Sequence, residues 1–288
     1  MGPVGKALWH MECHLTRAIT LDEIAEASGV SRFDLSRTFG SATGHTVMGY
    51  LRQRRLSMAA RALSEGAPDI LAVALDATYG SHEAFSRAFR DQFGLTPEEV
   101  RARGHLKDIN YLEAIRMDES RLVELEAPRV VDGRDLLIAG LSGRFTFDTN
   151  QGIPALWQRF IPYLGSIAGQ VGRKTYGVCS NGDDAGNFDY TCGVEVSDLS
   201  DIQDELACIR IPAQRYLVFT HRGHISTISS SVYTIWNKYL PASSETTACA
   251  PDFELYDERF DASSGLGDVE IWIPIKNPIR EGSVAAKS

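Results

Sequence analysis

The chain of 288 residues is 43% hydrophobic and 23% charged, with a mean hydropathy of −0.16. That composition excludes a disordered chain, and the length suffices for two domains of ordinary size. The formal net charge of −9 is uneven: residues 1–106 carry 12 Lys+Arg against 12 Asp+Glu, so the excess acid lies behind them. An acidic surface repels phosphate, which places any nucleic-acid contact in the front half. The apolar runs fall short of the ~20 residues a membrane span needs, and the N-terminal stretch lacks a signal-peptide core. Cys13, Cys179, Cys192, Cys208 and Cys249 are scattered without a CxxC pair. That is the pattern of reduced thiols in a cytoplasmic protein, with no metal site, cofactor or membrane contact expected.

The first elements repeat at an interval of 50 residues. FDLSRTFGSATGHT, from Phe33, aligns with EAFSRAFRDQFGLT, from Glu83, keeping Ser36/Ser86, Arg37/Arg87, Phe39/Phe89, Gly44/Gly94 and Thr46/Thr96 in register. Each copy reads as a short helix, a tight turn and a second helix. Thr20 and Glu23 form a capping box ahead of LDEIAEAS, Gly29 supplies the turn, and Ser31 caps the next helix. In the second copy Asp69, Tyr79-Gly80 and Ser81 do the same. Leu35 with Phe39, and Phe85 with Phe89, stand at i and i+4 and face inward. Arg37 and Arg87 therefore face outward. This is the helix-turn-helix pattern, whose second helix enters the DNA major groove, where an arginine can donate two hydrogen bonds to guanine. Between the copies, VMGYLRQRRLSMAARAL reads as a helix of ~26 Å at ~1.5 Å per residue. Its Arg52, Arg54 and Arg55 suit phosphate contact.

GVSRFDLSRTF, the connecting helix and YGSHEAFSRAFRDQFGLTPEEVR together resemble the AraC/XylS family of transcription regulators, over about residues 5–103. The resemblance implies seven helices and two recognition helices in successive major grooves. It implies base reading by Phe33, Ser36 and Arg37 in the first copy and by His82, Glu83 and Arg87 in the second. Two residues depart from the pattern: Thr78 stands where glycine is usual, and Glu83 replaces a neutral polar residue.

Behind GHLKDINYLEAIRMDES, read as a connector, the chain repeats again in a different style. LLIAGLSGRF, IPALWQRFIPYL, TYGVCSN and YTCGVEVSD are echoed by RYLVFTHRGHI, SSSVYTIWNKYLP, FELYDERF and GDVEIWIPIK. Each half reads as strand, helix, strand, strand. Glu270 and Trp272 share one side of the last strand, opposite Val269, Ile271 and Ile273. A mid-strand carboxylate must be exposed, paired or kept for a ligand, and Glu195 is its counterpart in the first half. An aromatic concavity with a central carboxylate suits organic cations. Trp157, Trp236, Tyr190, Tyr256 and Trp272 are the candidate walls, although Trp157 and Trp236 read equally well as core.

RYLVFTHRGH, the IWN helix and VEIWIPIK make this half similar to the GyrI-like effector-binding domains, over about residues 109–276. That resemblance implies a pseudo-twofold αβ domain with a small-molecule cleft. It also implies a strand glutamate at the Glu270 position that meets lipophilic cations. The expected fold is an all-α domain with two helix-turn-helix motifs at residues 1–104 and a linker at 105–119. An α+β domain follows at 120–276, with a disordered tail at 277–288. The expected function is a regulator that binds double-stranded promoter DNA and RNA polymerase as a monomer or homodimer and senses a lipophilic or aromatic cation. The alternative is a hydrolase or drug scavenger pairing Glu270 with Tyr190 or Tyr256 as base and acid. The HisxxHis of His221 and His224 lacks a third ligand and reads as two hydrogen-bonded side chains.

Overall fold

The computed structural model describes residues 2–115, 119–146, 149–183 and 186–276, so the expected disordered tail lies outside the described residues. Seven helices come first: α1 (Pro3–Cys13), α2 (Leu21–Ser28), α3 (Arg32–Thr43), α4 (Val47–Ser64), α5 (Ile70–Asp76), α6 (His82–Phe93) and α7 (Pro97–Arg103). Their boundaries follow the capping chemistry. Thr20 and Thr96 close reciprocal capping boxes with Glu23 and Glu99. The hydroxyls of Ser31 and Ser81 accept from the amides of Asp34 and Ala84 at the starts of the two recognition helices. Both of those helices end at a left-handed glycine, Gly44 with φ 74° and Gly94 with φ 68°, a conformation only glycine adopts without cost.

These helices form two small cores strung on α4. Val4, Leu8, Met11, Ile24, Leu35, Phe39 and Tyr50 make the first; Leu56, Leu63, Val73, Phe85, Phe89 and Val100 make the second. The segment after α7 is more than a spacer: Leu106 and Tyr111 pack on the second core, Leu112 and Ile115 on the first.

Eight strands follow: β1 (Arg129–Gly133), β2 (Leu136–Thr146), β3 (Gln170–Ser180), β4 (Asn187–Val196), β5 (Ala207–Ile211), β6 (Gln214–His224), β7 (Asp252–Asp261) and β8 (Leu266–Ile275). Two helices, α8 (Ile153–Phe160) and α9 (Ile228–Thr234), lie between β2 and β3 and between β6 and β7, and a π-helical turn, Ile235–Tyr239, extends α9. The strand-helix-strand-strand halves meet where β3 pairs with β7, in the order β1-β6-β8-β7-β3-β4-β2-β5. Each half also lends an edge: β1 precedes β2 yet pairs with β6, and β5 precedes β6 yet pairs with β2.

Register assigns the side chains to faces, because directly paired residues of an antiparallel ladder point the same way. Tyr190 pairs with Cys179, Cys179 with Asp252, Gly177 with Glu254 and Glu254 with Ile271. Those residues therefore share the face that carries both helices, with α8 over Leu141, Cys192 and Val194 and α9 over Leu217, Phe219 and Ile271. The other face holds Ile138, Tyr176, Tyr216, Val218, Phe253 and Leu255.

Thr78 occupies a left-handed backbone conformation, φ 66°, which costs a β-branched residue about 1–2 kcal/mol. Thr78→Gly should therefore raise stability by about 1 kcal/mol after the entropy glycine adds to the unfolded chain. Denaturant unfolding at constant slope measures it; an unchanged or lower midpoint would refute the strain.

Candidate functional site

The two recognition helices have the same sequence pattern and different surroundings. In α6, Glu83 and Arg87 are exposed, and His82 stands at the rim, 3.2 Å from Glu98. In α3, the equivalent surface meets the second domain. Arg37 pairs with Asp252 of β7. Its guanidinium carbon lies 5.3 Å from the ring centre of Trp236 and 5.6 Å from that of Phe33. Asp34 accepts from the Thr247 hydroxyl. The Ser36 hydroxyl is buried with no hydrogen-bond partner among the described residues, as is that of Ser86 in α6, so this burial belongs to the repeat and removes Ser36 from the base-reading surface. Arg37 is thus not on open surface as its position in the repeat implied; α3 lies against α9 and the π-helical turn.

The arginines expected on phosphate divide as well. Arg52 is exposed. Arg54 is buried: its Nε and Nη2 each donate at 2.8 Å to Glu12, and its Nη1 donates to the Leu112 carbonyl at 2.7 Å. Burial pushes Glu12 upward, but the hydrogen bonds from Arg54 and Tyr50 outweigh it and hold the carboxyl below its usual range. Arg55 donates to the carbonyls of Leu15 and Arg17 and so closes the turn between α1 and α2. Both side chains hold the domain together; all three nitrogens of Arg54 are engaged, whereas Arg55 is half-buried and spends Nε and Nη2 on its own domain.

The expected ligand residues fall on opposite faces of the sheet. Glu195, Glu270 and Trp272 lie away from the helices. Glu270 is held by Arg259 at 2.6 Å, Arg129 at 2.8 Å and the Trp272 indole at 3.0 Å. Burial works against the Glu270 anion, yet the two arginines keep its pKa below the ordinary value. Glu195 is paired with Arg134 at 2.7 Å. Trp272 stacks on Phe253 in the core, ring centres 5.0 Å apart. A carboxylate already neutralised by its own domain has no charge left for a cation.

On the helix-bearing face, Trp157, Tyr190 and Tyr256 do come together, around a carboxylate that was not among the expected residues: Glu254. One oxygen, Oε2, accepts from both the Tyr190 and Tyr256 hydroxyls, each at 2.7 Å. Trp157 donates to the Tyr190 oxygen at 3.2 Å, and its ring meets Tyr256 edge to face at 5.1 Å. Glu254 is half-buried, with the two tyrosine hydroxyls on one of its oxygens. Burial raises its pKa despite the two hydroxyl donors. Trp236 lies apart from this cluster, in the core under the other helix, and Asp252 stands two residues before Glu254 on β7. Cys179 is the ladder partner of Asp252. Glu254 could have been found in DFELYDERF, whose alternation sends Asp252, Glu254 and Tyr256 to one side and Phe253 and Leu255 to the other.

Two open concavities lie elsewhere. One, of about 360 Å³, is lined by Arg134, Glu195 and Arg210, and the other, of about 670 Å³, by Glu126, His221, Arg222 and Ser231. Their charges are already paired, Arg134 with Glu195 and Arg222 with Glu126, and neither has an aromatic wall. His221 hydrogen-bonds Ser231 at 2.9 Å and the His224 carbonyl at 3.3 Å.

Comparison with known proteins covers both regions. GyrI-like small molecule binding domains match residues 126–276, and a helix-turn-helix domain matches residues 24–103. The Right origin-binding protein of Escherichia coli is 26% identical over 282 residues, 95% of this chain and 96% of its own. The regulatory protein SoxS of Escherichia coli is 40% identical over 90 residues, 31% of this chain and 84% of its own. Among solved structures, SAV2435 bound to tetraphenylphosphonium superposes with a TM-score of 0.45 at 22% identity, over 52% of this chain and 94% of that one.

The Glu254 cluster needs a residue without a side chain beneath it. A Cβ on Gly177 would stand 2.1 Å from the Tyr190 hydroxyl and 2.8 Å from Glu254 Oε2. Gly177→Ala should therefore displace Tyr190 and destabilise the domain by about 1–3 kcal/mol, the usual cost of overpacking. Chemical denaturation reads this out, and a wild-type midpoint would contradict the geometry.

Proposed function

Because the chain belongs to the family of GyrI-like small molecule binding domains and carries one behind a helix-turn-helix domain, as a DNA-binding transcription regulator with a sensing domain, we propose that its effector is an organic cation held in the crevice floored by Glu254. The observation that carries this is that Glu254 has no cationic partner among the described residues. Glu195 and Glu270 are neutralised by arginines of their own domain, whereas Glu254 accepts from two neutral hydroxyls. Aromatic faces attract cations, and a carboxylate kept short of a counter-charge binds one strongly once water is excluded.

The pH dependence has a definite sign. Burial makes the Glu254 proton hard to remove; a bound cation favours the anion, so binding expels that proton. Affinity should rise with pH across a window above the ordinary carboxylate value of about 4.3 and level off once Glu254 is ionised. Calorimetric titration with benzamidine, whose charge is fixed over this range, against neutral benzamide tests it. Benzamidine should bind in preference, and Glu254→Gln should weaken binding at least tenfold and flatten the pH profile. Equal binding of the two compounds would end the cation reading.

On DNA, the reading head of α6 works through Arg87, with Glu83 and His82 beside it, and Phe33 and Arg37 serve α3. Arg52 contacts phosphate. One chain holds two heads, so a monomer suffices for a split site of about 20 base pairs on promoter DNA, in the cytoplasm and beside RNA polymerase. Selection of genomic fragments at fixed salt should recover two boxes about one turn apart. Arg87→Ala should cost about 1–3 kcal/mol and relax one base position in the box read by α6. Unchanged preference at every position would remove Arg87 as a base reader.

A second reading rests on the same cluster: Glu254 as base and Tyr190 or Tyr256 as acid, within 2.7 Å of each other, in a hydrolase. Recovery of bound ligands intact by mass spectrometry would dismiss it; the mass of a water added would promote it.

A further inference from the structure

We propose that Arg37 is a tethered occupant of the effector crevice, and that a cationic effector frees the first reading head by evicting it from Asp252 and Trp236. This rests on the cation reading of the crevice and adds to it how the site is linked to DNA.

Arg37 meets what an organic cation would meet there. It has a carboxylate on one side, Asp252, and the Trp236 ring 5.3 Å away; the Phe33 ring, at 5.6 Å, belongs to α3 and leaves with it. Trp236 belongs to the π-helical turn and Asp252 to the central strand, so the guanidinium sits between that turn and the strand that carries Glu254. Asp252 shares the sheet face of Glu254, two residues away, which brings their side chains to within about 7 Å along the strand. The fit is incomplete. Asp252 is 8% exposed, and its Oδ1 is buried without a hydrogen-bond partner among the described residues. A guanidinium can satisfy both oxygens of a carboxylate with parallel N–H groups; Arg37, held at the angle α3 imposes, pairs with Oδ2 alone. A free planar cation is under no such restriction, and the site's chemistry therefore favours amidinium and guanidinium compounds.

The consequence for DNA follows from shared surface. The face of α3 that carries Phe33, Asp34 and Arg37 is the face its twin α6 leaves exposed for base contact. It cannot face α9 and a major groove at once. In this closed arrangement one reading head is free and the other covered, and effector and DNA each bind better after the other, since both compete with the same internal contact.

The test uses the full chain and benzamidine as the probe. Hydrogen exchange in residues 32–43 should accelerate on saturation with benzamidine, while residues 82–93 stay unchanged. Arg37→Ala should bind benzamidine at least about fivefold tighter than wild type, because no internal competitor must be displaced. Asp252→Asn should expose residues 32–43 without ligand and raise affinity for a duplex carrying the selected split site. Arg37→Lys, which keeps the charge but loses the fork, should fall between wild type and Arg37→Ala and covers the event that the alanine variant does not fold. Benzamidine binding equally to wild type and both Arg37 variants, with exchange in residues 32–43 unmoved, would overturn the eviction and leave the Glu254 reading standing. Binding to neither wild type nor variant would overturn both.

Discussion

A carboxylate placed inside a β-sheet must find a counter-charge, a set of hydrogen-bond donors or a proton, because burying it bare costs several kcal/mol. The effector domain carries several such groups on its strands, and four of them are resolved in three ways. Glu195 and Glu270 are clamped by arginines from other strands and a turn of their own domain. Glu254 is left to two tyrosine hydroxyls and carries a raised pKa. Asp252 takes its cation from the other domain. Which partner settles each charge separates scaffold from site: the first two lock the sheet, the third leaves a charge available, and the fourth ties the two domains together.

The two helix-turn-helix copies show how little of a residue's role is set by its local pattern. Arg37 and Arg87 occupy matching positions in helices capped by matching serines and ended by matching glycines. One is exposed and the other lies under α9. The difference lies outside the repeat, in Asp252 and Trp236, more than 190 residues along the chain. Local hydrogen bonding builds the reading heads identically, and tertiary contact gives them different availability.

Much of the fold was legible for the same local reasons. Capping residues, left-handed glycines and i, i+4 apolar pairs set the helices, and the doubled strand-helix-strand-strand pattern set the second domain. Trp157, Tyr190 and Tyr256, expected as aromatic walls, come together around a carboxylate that only the alternation of β7 pointed to. The symmetry of Glu195 with Glu270 drew attention to two residues that register places on the far face of the sheet, and only the pairing of Gly177 with Glu254 reveals which strand face the helices cover. Arg54 and Arg55 misled for a related reason: an arginine-rich helix looks alike whether its forks reach phosphate or fold back on Glu12, Leu15 and Arg17. The exchange of edge strands, β1 to β6 and β5 to β2, also has no local signature.

The segment leading into the second domain bears on how firmly α3 is held. Arg121 donates to the Ala42 carbonyl at the end of α3 and lies over the Tyr233 ring of α9, and the Val123 amide donates to Thr234. The connector thus runs along the same helix that α3 covers, and the two surfaces are leashed within a few residues of their contact. Short leashes raise the effective concentration of one surface at another to the millimolar range. Closure is then a property of the single molecule, indifferent to how many copies a cell contains, and a contact too weak to join two separate proteins is strong enough to keep this one shut.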